Sequence, residues 1–330
     1  MTTASPSPES TGGLPAVELP DGRAQPVLPT GSTPSLDLPG GDQEHLRLPD
    51  ADLTLPPGTA TEVATDDGAT LSITVHGDGS STMPPVVLPH CWTGSRIIGV
   101  PVARRLLAAG HRVVLYDQRG HGSSTLGRDT VTVDRLGADL AAVVRHLDLC
   151  DLVLAGHSMG GMTVMAFACQ HPELVRERVR GLALIATAGH GLAERWRSRL
   201  LRRAILGGLA DRTMRHPRAG YAAVRSTFGA DPDRAHVEAT RELFMATPAP
   251  VVRDCIDAMG AMDLRQVLRT VDVPTTVLLG RRDQLVVNAL TRAIVDHIAG
   301  AELIELPGAG HMLPLERPDE VAAAIRALAA

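Results

Sequence analysis

Leu152-Val153-Leu154-Ala155-Gly156-His157-Ser158-Met159-Gly160-Gly161 is the stretch whose reading decides the fold. Its first four residues form a short apolar run, which predicts a buried strand over 152–155. The next five read Gly-x-Ser-x-Gly, and a helical pattern starts at Met159 and ends before Pro172. A strand that turns at once into a helix leaves little room at the corner. Side chains at positions 156 and 160 would collide with its neighbours, so glycine stands at both. Ser158 is then expected in a strained backbone conformation with its hydroxyl above the sheet. The helix N-terminus behind it favours negative charge developing in front of it.

Working outward, apolar strands alternate with amphipathic helices. Strands are predicted over 70–76, 85–88, 112–116, 182–185, 276–279 and 303–306, and helices over 102–109, 133–147, 290–299 and 318–328. That alternation implies a mostly parallel sheet covered on both faces, an α/β architecture. It stops between Gly189 and Asp263, where the pattern is helical throughout. Because this segment interrupts two core strands, 189–263 is expected to be an inserted helical lid on a core made of 61–188 and 264–330.

Residues 1–60 read differently. They hold 11 of the 24 prolines, no aromatic residue, and two arginines against eight acids. Such a composition cannot bury enough apolar surface to offset its ordering entropy, so a disordered tail is expected. Leu-Pro nevertheless recurs at Leu14, Leu19, Leu28, Leu38, Leu48 and Leu55. The alternative is an extended arm pinned on the body or on a second subunit of a homo-oligomer.

Composition excludes several classes of function. The formal net charge is −5, and every one of the 32 cations is arginine. An acidic balance with only seven aromatic residues argues against a nucleic-acid groove. Without lysine there is no Schiff-base chemistry. Cys91, Cys150, Cys169 and Cys255 are widely spaced, with neither a CxxC pair nor an HExxH motif. The expectation is therefore no metal, no cofactor and no disulfide scaffold, with reduced thiols in a cytoplasmic protein. No apolar run reaches the length of a transmembrane segment, and no signal sequence is recognised at the start.

Five elements in order now carry a resemblance. They are Pro89-His90-Cys91-Trp92, Tyr116-Asp117-Gln118-Arg119-Gly120-His121-Gly122, Gly156-His157-Ser158-Met159-Gly160-Gly161, Gly280-Arg281-Arg282-Asp283 and Gly308-Ala309-Gly310-His311-Met312. Over roughly 62–330 the chain resembles the α/β-hydrolase superfamily. The resemblance implies a catalytic triad of Ser158, Asp283 and His311, in the chain order Ser…Asp…His. Ser158 would be the nucleophile and His311 the base that takes its proton. Asp283 would fix the imidazole tautomer. It also implies an oxyanion hole from the backbone N–H groups of Met159 and Trp92. The usual His-Gly of the first element is His90-Cys91 here, which bears on the loop that carries Trp92. Asp117, Arg119 and His121 are expected to brace loops, and His157 to be a packed residue beneath the turn.

The helical segment holds Trp196, Tyr221, Phe228 and Phe244, four of the seven aromatics; with Trp92 they are candidates for an apolar acyl pocket. Arg195, Arg199, Arg202 and Arg203 lie mostly opposite Trp196 and Leu200, as a solvated face over a core-facing stripe. The function expected is a serine hydrolase cleaving the carboxylic ester, lactone or thioester of a small apolar substrate. C–C bond hydrolysis, haloperoxidase-like perhydrolysis, amide hydrolysis and acyl transfer stay open on the same fold, as does a non-catalytic binding protein. Dehalogenase and epoxide-hydrolase chemistry are disfavoured, since those members need aspartate at position 158.

Overall fold

The computed structural model describes residues 52–190 and 208–330, with the backbone of two short N-terminal strands. Those two, Ala16–Glu18 and Ala24–Pro26, pair antiparallel within a unit of their own, Met1–Leu46. The expectation of a disordered tail or a docked arm otherwise lies outside the described residues.

The second unit is built on an eight-stranded sheet. Its strands are β1 (Gly58–Ala64), β2 (Thr70–His76), β3 (Val86–Pro89), β4 (Val113–Tyr116), β5 (Leu152–His157), β6 (Val179–Ile185), β7 (Thr275–Gly280) and β8 (Glu302–Leu306). The spatial order is β1-β2-β4-β3-β5-β6-β7-β8. β2 runs antiparallel to its neighbours β1 and β4, and all other pairings are parallel. The α/β-hydrolase fold expected from the sequence is the fold observed.

Alternation along β5 shows how one strand builds two cores. Leu152 and Leu154 face α2 (Val133–His146) and α3 (Met159–Gln170), joining Leu136, Leu140, Met162 and Phe167. Val153 and Ala155 face α1 (Val100–Ala108) and the C-terminal helix Pro318–Ala329, against Val102, Leu106, Val321 and Ile325. Each such side chain contributes roughly 1.5–3 kcal/mol by leaving water. With both faces covered, the strand is apolar at almost every position, as a central parallel strand must be.

The body begins before residue 61. Arg104 donates to the backbone carbonyl of Asp52 at 2.6 Å and to that of Thr54 at 3.0 Å, and Leu53 and Leu55 pack on the core. β1 then starts at Gly58. Its residues are mostly exposed, with Val63 buried, so an edge strand lacks the apolar alternation that reveals inner strands.

α4 (Pro172–Arg178) leads into β6, and between β6 and β7 the described chain is helical: α5 (Leu209–Arg215), α6 (Pro217–Arg225), α7 (Arg234–Ala246) and α8 (Ala249–Ala261). Trp196 and the Arg195–Arg203 stretch lie outside the described residues. The crossover from β7 to β8 is α9 (Asn288–Val295), and α10 (Leu313–Glu316) and α11 (Pro318–Ala329) follow β8. Among the described residues no helix is long and apolar enough to cross a membrane.

Candidate active site

Three loops at the C-terminal ends of β5, β7 and β8 deliver three side chains to one point. Ser158 sits between β5 and α3 with φ 54° and ψ −115°, in a left-handed region that non-glycine residues avoid. Such backbone costs of order 1–3 kcal/mol and persists only where its surroundings hold it. Here the Ser158 N–H donates to the Ile185 carbonyl at 2.8 Å, and the Ser158 carbonyl accepts from the Thr187 hydroxyl at 2.7 Å. Close approach explains the glycines. A Cβ on Gly156 would stand 2.2 Å from the Gly160 carbonyl oxygen, and one on Gly160 would stand 2.1 Å from that of Pro89.

The imidazole of His311 lies beside this serine. Its Nε2 is 2.9 Å from Ser158 Oγ, and its Nδ1 is 2.7 Å from Asp283 Oδ2. The other carboxylate oxygen of Asp283 accepts from the backbone N–H groups of Leu285 and Val286, at 2.8 and 2.9 Å. A carboxylate only accepts, so Nδ1 carries the proton and the Nε2 lone pair faces the hydroxyl. The side chains of His311 and Asp283 are 4% and 1% exposed, a dry site in which this polarity is weakly screened. Arg281, a rival partner for Asp283, reaches Glu305 instead at 3.7 Å. Chemically, the arrangement can transfer a proton from a serine hydroxyl to an imidazole held in one tautomer.

The loop after β3 forms the opposite wall. Cys91 is not among the positive-φ residues, so nothing in the backbone demands glycine there; the left-handed position is Thr93, with φ 54°. The Thr93 N–H donates to His121 Nε2 at 3.2 Å and its hydroxyl to the Trp92 carbonyl at 2.7 Å. His90 Nε2 accepts from the Gln118 N–H at 2.9 Å, and the Gln118 amide returns a bond to the His90 carbonyl at 2.6 Å. Burial pushes these imidazoles down, His90 to about 4 and His121 to about 3, so both stay neutral acceptors. Burial also pushes the Cys91 thiol up to about 12. Met159 stands at the first turn of α3, where backbone N–H groups have no helical partner.

Arg119 is fully buried and bridges two carboxylates. It reaches Asp67 at 2.9 and 3.1 Å and Asp139 at 2.5 and 2.7 Å. Asp117 accepts from the N–H groups of Arg96 and Ser123, at 2.8 and 2.9 Å. These residues brace the loop that holds His90 and Thr93 in place, and none of them lines the cavity in front of Ser158.

That cavity measures about 380 Å³ and reaches from Ser158 and His311 to α5, α6, α7 and α8. Of the five aromatics expected around it, Trp92 and Phe244 line it and meet edge to face, with centroids 5.8 Å apart. Phe228 and Tyr221 do not. Tyr221, on α6, lies under the Arg234 guanidinium, which stands 5.6 Å from the ring centroid. Phe228 is buried beside Cys91 and Leu243, with its backbone against Gly310. Trp196 lies outside the described residues. Methionines the sequence did not single out, Met162, Met214, Met259 and Met312, supply much of the wall instead. No Asp, Glu or Arg is among the described lining residues. Nor, among the described residues, could any group of three or more His, Cys, Asp or Glu hold a metal ion.

Two residues that positioning depends on escaped the sequence reading. Thr187 braces the strained serine from the end of β6, and Glu316 binds the loop of His311. Their contacts span 29 and 6 residues, and no motif marks either.

Comparison with known proteins agrees with the fold. The model of the alpha/beta hydrolase family matches residues 73–324. The chain is similar to the non-heme chloroperoxidase CPO-A1 of Kitasatospora aureofaciens, 27% identical over 252 residues, covering 72% of this chain and 88% of that protein. It is 40% identical over 103 residues to the sn-1-specific diacylglycerol lipase ABHD11 of Xenopus laevis, a match spanning 31% of this chain and a third of that one. Among solved structures, a hydrolase from Pseudomonas aeruginosa superposes with a TM-score of 0.68 at 27% identity, covering 83% of this chain and 99% of that one.

Proposed function

The chain belongs to the alpha/beta hydrolase family, and from that premise we propose that it is a serine hydrolase cleaving a neutral, apolar carboxylic ester through an acyl-enzyme on Ser158. The observation that carries the reading is the unbroken chain of hydrogen bonds from Ser158 through His311 to Asp283, at 2.9 and 2.7 Å, on the floor of a cavity whose described lining holds no Asp, Glu or Arg.

His311 Nε2 takes the hydroxyl proton as Oγ attacks the ester carbonyl. The oxyanion that forms is held by the N–H groups of Met159 and Trp92. Collapse expels the alcohol, which receives the proton from His311. Water, deprotonated by the same imidazole, then attacks the acyl-enzyme and releases the acid. Asp283 keeps the ring in its tautomer and stabilises the imidazolium. The helices between β6 and β7 act as the lid that excludes water, and Met162, Met214 and Met259 let the wall adapt to the acyl chain. Similarity to a chloroperoxidase supports a second reading, in which hydrogen peroxide replaces water at the acyl-enzyme and a peracid leaves.

A fluorophosphonate probe tests the first reading, with a panel of p-nitrophenyl esters of graded chain length beside it. The expected result is labelling at Ser158, lost in Ser158→Ala, and hydrolysis of neutral esters in preference to an ester bearing a carboxylate. Labelling that survives in Ser158→Ala overturns it. Adding peroxide and bromide to the acyl-ester assay separates the second reading, which requires halogenation.

A further inference from the structure

Glu316, at the end of α10, accepts three backbone hydrogen bonds, one of them from Met312 at the start of its own helix. Oε2 takes the N–H of Gly310 at 2.9 Å and that of Gly229 at 2.7 Å; Oε1 takes the N–H of Met312 at 3.0 Å. Gly310 and Met312 are the two residues that flank His311. Gly229 belongs to the turn that follows α6, three residues beyond Ser226 and two beyond Thr227, both of which line the cavity.

The surrounding backbone reinforces this junction. The His311 N–H donates to the Thr227 carbonyl at 2.8 Å, and the Ala230 N–H donates to the Gly308 carbonyl at 2.9 Å. Arg225 holds the same turn from its other side, donating to the carbonyls of Gly229 and Ala230 at 2.8 and 2.6 Å. Backbone lies directly on backbone here. A Cβ on Gly229 would stand 2.1 Å from the Gly308 carbonyl oxygen, and one on Gly310 would stand 2.4 Å from the Phe228 carbonyl carbon. One carboxylate thus joins the histidine loop on both sides of His311 to a wall of the substrate cavity.

We infer that Glu316 is a positioning residue of the hydrolytic reaction: it holds the loop of His311 so that Nε2 stays in line with Ser158 Oγ, and it couples that loop to the cavity wall at Gly229. The inference rests on the reading of His311 as the base. Its physical content is orientation. A displacement of roughly 1 Å at the reacting groups costs on the order of a hundredfold in rate. Glutamine keeps one acceptor oxygen and replaces the other with an NH₂ group that can only donate, so it cannot satisfy all three N–H groups.

The test compares Glu316→Gln and Glu316→Ala with wild type on a neutral p-nitrophenyl ester. Asp319→Asn, which removes a surface pair with Arg105, serves as the control. The expected result is a fall in kcat of about tenfold for Glu316→Gln and about a hundredfold for Glu316→Ala, with KM within about twofold and Asp319→Asn unchanged. A merely structural glutamate would lower the active fraction or the melting temperature without that split, so kcat is normalised to sites titrated by the fluorophosphonate. Wild-type kcat in folded Glu316→Gln and Glu316→Ala overturns the inference. Should both variants fail to fold, amide exchange in the wild-type protein decides. Protection at Gly229, Gly310 and Met312 matching that at His311 supports it, and rapid exchange at Gly310 and Met312 overturns it. If the probe does not label Ser158 in wild type, the reading of the active site fails, and this inference fails with it.

Discussion

The ring of His157 donates from Nε2 to the carbonyl oxygen of His311 at 2.8 Å, so the residue before the serine holds the backbone of the residue that faces it. His157 is buried, its rings lie 5.2 Å from those of His311, and burial pushes its imidazole down to about 3. It therefore acts as a neutral donor. Replacing it with phenylalanine keeps the volume and removes the bond. The expected outcome for His157→Phe is a stable protein whose kcat falls about tenfold with KM nearly constant, because orientation of the base is lost while the cavity is kept. Steady-state kinetics beside a thermal melt checks this, and an unchanged kcat contradicts it.

Asp283→Asn should preserve the fold and lower kcat by about a thousandfold to ten-thousandfold, by favouring the tautomer with its proton on the wrong nitrogen. Asparagine can still accept from Leu285 and Val286 through its oxygen, which then turns its NH₂ toward His311 Nδ1. Pre-steady-state measurement of acylation is the direct check. A near-neutral effect would mean that another carboxylate serves the imidazole.

Cys91→Gly should change kcat by less than about tenfold, since a lost oxyanion donor costs about a hundredfold to a thousandfold and the backbone at 91 is already unstrained. Cys91 is buried and is among the residues that line the cavity. Held as the neutral thiol, it should react slowly with iodoacetamide at pH 7.5. Mass spectrometry of the modified protein reads this. Rapid alkylation at Cys91 would contradict the burial that suppresses it.

Arg119→Met should destabilise the protein by about 3–5 kcal/mol, because it takes the fully buried cation away from the buried carboxylates of Asp67 and Asp139 and leaves them with Arg135. Removing one of those carboxylates as well, in Arg119→Met/Asp139→Leu, should recover part of the loss. Urea denaturation of the set gives the coupling directly. Simple additivity of the two single changes would show that the three groups do not act together.

Acid should weaken the fold well before carboxylates protonate. His90, His121 and His157 have folded values near 4, 3 and 3, below the ordinary imidazole value of 6.5. Below pH 6.5 the unfolded chain binds protons that the native state refuses, so stability drops as pH falls from about 6.5 toward 4. The loss levels off once the folded groups titrate. The three lie close together and titrate as a set. Urea midpoints at pH 7, 6, 5 and 4 measure it, and a flat profile across that window contradicts the neutral, hydrogen-bonded assignment.

How much of this was legible in the sequence depended on whether a feature is local. Gly156 and Gly160 announce the strained serine because a five-residue corner has one steric solution. The inner strands announce themselves through burial on both faces. The boundaries were harder to read. β5 runs on through His157, whose polarity hides it, and β6 begins at Val179, three residues before the apolar run, with Arg180 turned out to pair with Asp151. β1 is not predicted as a strand, and its first three residues fall in the expected tail, since an exposed edge strand has no apolar period and follows a proline-rich stretch. The cavity was half legible. Trp92 and Phe244 line it, while Phe228 and Tyr221 serve packing, because an aromatic side chain's destination depends on where its helix turn falls. Glu316 and Thr187 were silent, since their roles arise only when separate segments meet.

The groups proposed for bond breaking stand on loops at the ends of β5, β7 and β8, whereas much of the described cavity wall comes from the helices inserted between β6 and β7. Reactivity and fit are thus encoded in different stretches of the gene. A graft of residues 209–261 from a relative would change which molecules are admitted and leave the serine, histidine and aspartate where they are. The seam that such a graft must respect is the turn at Gly229, where the two stretches are stapled together. Diversification of this chain can run through its helices with that junction conserved.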